Sequence, residues 1–264
     1  MPKPMFAAAF AALISAAGPA AAVGSIADVQ VVDRSTGQTL PMYRYQGRWW
    51  VAGTPGNRYA IALANRSGAR VLTVISVDGV NAVSGETASW EQTGYVLERG
   101  QRTQITGWRK STSRVAAFEF TALPDSYAAR TGRPDHVGVI GVAIFREKPK
   151  PVEPLSVAPP APTRSNESAA DTGPAAPATR SESASGEARA LAKEERLGTG
   201  HGRSETSRVT YTDFERARPT PDEIVTIHYD SHANLVAMGV IPSPRPQPNP
   251  FPGSQLGFVP DPPR

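Results

Sequence analysis

Arg70-Val71-Leu72-Thr73-Val74-Ile75-Ser76-Val77, followed by Asp78-Gly79, is the stretch that decides the fold class. Val, Ile and Thr dominate it. Side chains branched at Cβ pack well on a pleated surface and lose freedom in a helix. Asp-Gly is a dipeptide that tolerates the positive φ of a tight hairpin turn. The stretch therefore reads as a buried strand running into a hairpin.

The same period-two pattern extends in both directions from about Ile26 to Lys148. Val29-Gln30-Val31 opens the series. Pro41 to Tyr45 and Arg48 to Val51 flank a Gln46-Gly47 turn, and Tyr59, Ile61 and Leu63 alternate with small residues. Tyr95 to Leu97, Gln104 to Trp108 and Val115 to Phe120 add three strands, and Val137 to Phe145 is the last. A single helical turn is expected at Ser126 to Arg130, between Pro124 and Gly132. Short strands with regular turn signals predict a mainly β chain, built as an antiparallel β-sandwich over residues 23–148.

Composition divides the rest. Of 26 prolines, 19 lie beyond residue 148. Residues 149–187 are Pro, Ala and Ser with few large apolar side chains, which predicts a disordered linker. Residues 242–264 form a second proline-rich stretch, expected to be a disordered tail. Between them, 188–241 reads as a small C-terminal α+β or β-hairpin module. Its parts are a charged helix at Ala188 to Leu197, a turn at Gly198-Thr199-Gly200-His201-Gly202 and a strand at Arg208 to Phe214. Glu223 to Tyr229 and Leu235 to Ile241 complete it as a hairpin. The competing reading has these strands return across the linker to complete the first sheet. The separate module is the reading adopted.

Residues 1–22 combine Lys3, an uncharged run from Met5 to Ala17, and Ala20-Ala21-Ala22 as an A-x-A cleavage site. They predict a signal peptide cut after Ala22 and a periplasmic or secreted protein, with no stable membrane span after its removal. There is no cysteine, so neither a disulfide nor a thiolate site contributes. The net charge is +4, with residues 23–148 carrying 15 Lys/Arg against 10 Asp/Glu. That mild basic excess suits an anionic partner. No Lys/Arg run marks a nucleic-acid surface, and no nucleic-acid partner is expected.

Candidate chemistry is sparse. His201, His228 and His232 could be joined by Asp230 and Glu223 in a metal set, but their spacing matches no helical or finger pattern. The glycine-rich stretch lacks the Lys-Ser/Thr of a phosphate loop. No Gly-x-Ser-x-Gly or His-Glu-x-x-His occurs, and neither a cofactor nor a catalytic residue is expected. The aromatics are more suggestive. Tyr43, Tyr45, Trp49 and Trp50 gather around one hairpin with Arg44 and Arg48 between them, and Trp108-Arg109 is a candidate neighbour. Rings and guanidiniums together are the side chains of binding hot spots. Trp49 and Trp50 are adjacent, so in a strand they face opposite sides.

Two sets of motifs carry a resemblance. The first is Val77-Asp78-Gly79, Gly94-Tyr95-Val96-Leu97, Ile105-Thr106-Gly107-Trp108-Arg109, Ala117-Phe118-Glu119-Phe120 and Val137-Gly138-Val139-Ile140-Gly141-Val142-Ala143. The second is Gly198-Thr199-Gly200-His201-Gly202, Phe214-Glu215-Arg216 and Tyr229-Asp230-Ser231. Together they resemble exported proteobacterial proteins of unknown function. The resemblance covers most of both ordered pieces, implies no activity and brings no catalytic residues. The sequence thus predicts a non-enzymatic exported binding or interaction module of the bacterial envelope. Its partner would be an envelope glycan or an envelope protein. The alternative is a metal-assisted hydrolase using His201, His228 and His232.

Overall fold

The structure, a computed structural model, describes residues 22–149 and 196–243. The expected signal peptide, apart from Ala22, lies outside the described residues. So do nearly all of the linker and the tail, and the helix expected at Ala188 to Leu197 apart from its last two residues, of which Leu197 opens a strand. The strands, in chain order, are β1 (Ala27–Asp33), β2 (Met42–Tyr45), β3 (Arg48–Gly53), β4 (Arg58–Asn65), β5 (Val71–Val77), β6 (Val80–Asn81) and β7 (Tyr95–Leu97). They continue with β8 (Arg102–Ile105), β9 (Gly107–Arg109), β10 (Arg114–Ala122), β11 (Val139–Arg146), β12 (Leu197–Thr206) and β13 (Glu223–Ser231). Two short helices are α1 (Tyr127–Arg130) and α2 (His232–Ala237).

Two sheets result. One is ordered β1-β4-β10-β12, with β8 on β4 and β9 on β10. The other is ordered β2-β3-β13-β11-β5-β6, with β7 on β5. Their facing sides share one core, to which Val29, Ile61 and Phe118 come from the first sheet and Ile75, Ile140 and Ile227 from the second. The decisive stretch behaves as its pattern requires. Val71, Ile75 and Val77 point into the core, and Leu72 and Val74 lie on the opposite face. Asp78 and Gly79 take φ of 54° and 73°.

The separate C-terminal module is overturned. β12 pairs antiparallel with β10, and β13 lies between β3 and β11. The physical reason is burial. Val225, Ile227 and Tyr229 on β13 need a core that some fifty residues cannot build alone. The β3 and β11 edges gain a hydrogen-bonded partner at the same time. The expected all-antiparallel pairing is also corrected, because β13 runs parallel to β3 and the second sheet is mixed.

Three local expectations change with it. Gly198 to Gly202 is extended strand, not a turn, and none of its glycines has positive φ. Closeness of approach is what requires glycine at Gly198, where a Cβ would lie 2.7 Å from Ser126 Cβ and 2.8 Å from Val137 Cγ1. The strand expected at Arg208 to Phe214 is irregular. Val209 N–H still bonds to Thr112 O, and the chain then crosses to lay Phe214 on the outer face of the second sheet. The second arm of the expected hairpin is α2. The Ser231 hydroxyl caps it by accepting the Asn234 N–H at 3.2 Å, and Gly239 at φ 74° lies just past its end. The helical turn at Ser126 to Arg130 forms as α1, capped by the Ser126 hydroxyl.

Candidate binding cleft

Alternation along β3 puts Arg48, Trp50 and Ala52 on the outer face of the second sheet, and Trp49 and Val51 on the inner one. Register with β13 sets His228 beside Trp50, and register with β11 sets Val139 beside His228. The Trp50 and His228 rings lie 4.9 Å apart at 31°. α2 packs over the same face, where Leu235, Val240 and Ile241 cover Tyr43, Tyr45, Trp50 and Ala52. Between α2 and the strand ends lies an open cleft of about 590 Å³. Arg48, Trp50, His228, Arg196 and His136 line it, and Asn234 and Met238 close one side.

Its electrostatics are lopsided. Neither Arg48 nor Arg196 forms an ion pair among the described residues. Arg196 donates from Nη2 to Val137 O at 2.9 Å. Two carboxylates also line the cleft, but Asp230 is engaged by the fold. Its Oδ1 accepts the Leu197 N–H at 3.1 Å, the Ser231 N–H at 2.7 Å and Asn234 Nδ2 at 2.9 Å. Asp135 is exposed at the rim. Burial holds the His228 imidazole below its usual pKa, and the Arg48 charge adds to the effect. His228 is therefore neutral near pH 7. The Trp50 indole N–H is buried without an acceptor among the described residues.

Behind the cleft lies a sealed polar network. Asp78 Oδ1 accepts the Tyr229 hydroxyl at 2.6 Å and the Gly138 N–H at 2.9 Å, and Oδ2 accepts the Thr199 N–H at 2.8 Å. The Thr199 hydroxyl bridges the Tyr229 and Tyr59 hydroxyls at 2.7 and 2.6 Å. Burial pushes Asp78 up to about 6 despite these donors, and drives both tyrosines well above their ordinary values. Thr199 and Leu197 N–H groups point away from β10, so Asp78 and Asp230 occupy the free edge of β12 where a strand would otherwise pair. Asp78, Tyr59 and Thr199 are wholly buried. The network can join the two sheets, but no substrate reaches it.

The expected aromatic patch is divided. Trp50 alone of its six residues lines the cleft. Tyr43 and Tyr45 share its face under α2, while Trp49 packs against the main core with Arg44 5.5 Å from its ring centroid. Trp108 is buried against Phe118 and Tyr127, so it is core packing and not a binding surface. Arg109 donates to the Tyr95 hydroxyl and to Ser207. Among the histidines, His201 stands on β12 near Tyr127, in the other sheet from His228, and His232 is exposed at the start of α2. Among the described residues, no group of three or more His, Asp or Glu is placed to hold a metal ion.

Sequence reasoning missed Arg196, His136 and Asn234 as cleft residues. The one usable signal was the period-two spacing of Arg48 and Trp50, which puts them on one face whichever way β3 is oriented. Comparison with protein-family models, curated proteins and solved structures finds no match for this chain.

Proposed function

We propose that the two sheets form a β-sandwich that serves as a non-enzymatic, exported binding module of the bacterial envelope. Its ligand is an anionic, ring-bearing glycan held in the Arg48–Trp50–His228 cleft. The observation that carries this reading is the pair of guanidiniums, Arg48 and Arg196, lining an open cleft beside Trp50 with no carboxylate of the described residues within ion-pair distance. A sugar ring can lie against the indole while its carboxylate meets a guanidinium, the pairing that arginine geometry favours. A volume of about 590 Å³ suits one or two sugar rings. A binding role also fits the carboxylates, because the buried Asp33, Asp78 and Asp230 all accept backbone N–H groups and are not available as acid and base. The leader-like start of the chain supports export.

The test is sedimentation of the chain from Val23 onward with purified peptidoglycan, and with an uncharged glucan as control. Retention by peptidoglycan alone is expected, with Arg48→Ala lowering affinity by about 2 kcal/mol, roughly thirtyfold. Equal retention on the uncharged glucan, or none on either, overturns the reading.

A further inference from the structure

The outer face of the second sheet holds a second concavity, separate from the cleft. Its floor is Val74 and Ser76 of β5 and Gly141 and Ala143 of β11. Its walls are Trp90, 48% exposed, and Ile224, 55% exposed. These are two of the four large apolar side chains exposed among the described residues. The groove measures about 330 Å³.

Trp90 is held in place rather than left loose. Gln92 Oε1 accepts the Ser89 N–H at 2.9 Å and Asn81 Nδ2 at 3.0 Å. Arg216 Nη2 donates to Glu91 O at 3.1 Å and Gln92 O at 2.8 Å, with its guanidinium 4.1 Å from the Phe145 ring centroid. The loop that exposes Trp90 is thus braced on both sides, and a braced wall loses little entropy when something docks against it.

On either side of this groove the chain covers the same face with its own segments. Phe214 packs on Leu72, Val74, Ala143 and Phe145 at one end. α2 with Val240 and Ile241 covers Tyr43, Tyr45 and Trp50 at the other. The described chain ends two residues beyond Ile241, at Ser243, on this face. The sequence beyond Ser243 has proline at every second position: Pro244, Pro246, Pro248, Pro250 and Pro252, with Phe251 among them.

We propose that the proline-rich C-terminal segment, residues 244–264, docks in the Trp90–Ile224 groove of its own chain. The groove lies on a sheet face, and β5, β11 and β13 beneath it each have strands on both sides. An occupant therefore finds no ladder of backbone partners and must bind through side-chain contact. A segment in which alternate residues lack an N–H is suited to that, because it favours the polyproline II form with no backbone bonds to satisfy. Aromatic-walled grooves are the usual receptors for such segments. The small floor at Ser76 and Gly141 lets a slender chain lie close. Reach is ample: from Asp230, beside α2, to Ile224 is about 20 Å along the strand. Twenty-one residues of polyproline II extend about 65 Å.

The experiment compares the chain from Val23 to Arg264 with one ending at Ser243, both labelled with 5-fluorotryptophan. The truncation removes none of the described residues, and equal thermal midpoints check that the body is intact. Trp90→Phe assigns its ¹⁹F resonance. The Trp90 resonance is expected to shift when residues 244–264 are removed, and to return when a synthetic 244–264 peptide is added in excess. Ile224→Asp in the longer chain should reproduce the truncated spectrum. A Trp90 resonance identical in both chains overturns the proposal. So does a shift that appears only at high protein concentration and in both chains alike, which assigns the groove to a second copy.

Discussion

Two polar regions meet at one strand, β13, and they are built on opposite terms. Around Asp78, every donor has an acceptor: two backbone N–H groups and the Tyr229 hydroxyl close on one carboxylate, sealed from water. Around His228, among the described residues, neither Arg48 nor Arg196 has an ion-pair partner and the Trp50 indole N–H has no acceptor, while Arg196 spends one N–H on Val137 O. A satisfied buried network holds a structure together, whereas unsatisfied polar groups at an open surface await a ligand. Tyr229 belongs to the first region and His228 to the second, and one step along β13 divides them.

The largest expected effect is at Asp78. Asp78→Ala leaves the Gly138 and Thr199 N–H groups buried without an acceptor and leaves the Tyr229 hydroxyl only its Thr199 partner. Each orphaned group costs about 1–3 kcal/mol. A loss of about 4 kcal/mol is expected in urea denaturation. A loss below about 1 kcal/mol would mean that the network does not join β12 to the second sheet.

The same carboxyl gives a pH signature. Its folded pKa, pushed up to about 6 from the usual 3.8, lies above the unfolded one. Protonated Asp78 therefore favours the fold, fully so below pH 3.8, and that stability is lost as pH rises through about 6. A shift of this size corresponds to about 3 kcal/mol, most of it falling between pH 4 and 7. Glu205 and Glu223, held below their usual values, pull the other way as pH falls. The clean measurement is therefore the difference between the native chain and Asp78→Asn. The stability of the native chain relative to this variant should fall by about 2 kcal/mol from pH 4 to pH 7. A constant difference would show that Asp78 keeps its charge throughout.

The next effect is steric and tests how β12 reaches that network. Gly198→Ala drives a methyl to within 2.8 Å of both Ser126 Cβ and Val137 Cγ1. Overpacking of this kind costs about 2 kcal/mol. A thermal melt showing no loss would mean that α1 yields easily.

The β character and the strands from Ala27 to Arg146 were legible because period two is a local property of a half-buried strand. Val71 to Val77 shows its core face without help from the rest of the chain. The return of β12 and β13 was not legible. Pairing of Phe118 with His201, or of Val139 with His228, joins residues far apart in sequence, and no local pattern records it. Glycine misled for a related reason. Gly198 serves a close approach to Ser126, which looks in sequence like turn chemistry. The site was half legible. Trp50 and Arg48 could be placed on one face, but Arg196 and His136 arrive through tertiary packing. Trp108, read as a neighbour of Trp50, belongs to the other sheet's core because β9 pairs with β10.

The smallest expected effect on stability lies in the cleft. Among the described residues Arg48 supports no ion pair or core contact, so Arg48→Ala should change stability by no more than about 0.5 kcal/mol. Its consequence is electrical instead. Two causes hold the His228 pKa down, burial first and the Arg48 charge second. Removing the guanidinium leaves the first and deletes the second. The imidazole pKa, followed by NMR, should therefore rise in the variant yet stay below the ordinary histidine value. Ligand and substitution act in the same direction here, because an anion seated beside Arg48 also favours the imidazolium. Saturating the native chain with a soluble carboxylated glycan fragment should thus raise the His228 pKa and take up protons near neutral pH. In Arg48→Ala, the added fragment should no longer move it. If the fragment raises the His228 pKa equally in both chains, the anion lies elsewhere in the cleft and Arg196, not Arg48, is its partner.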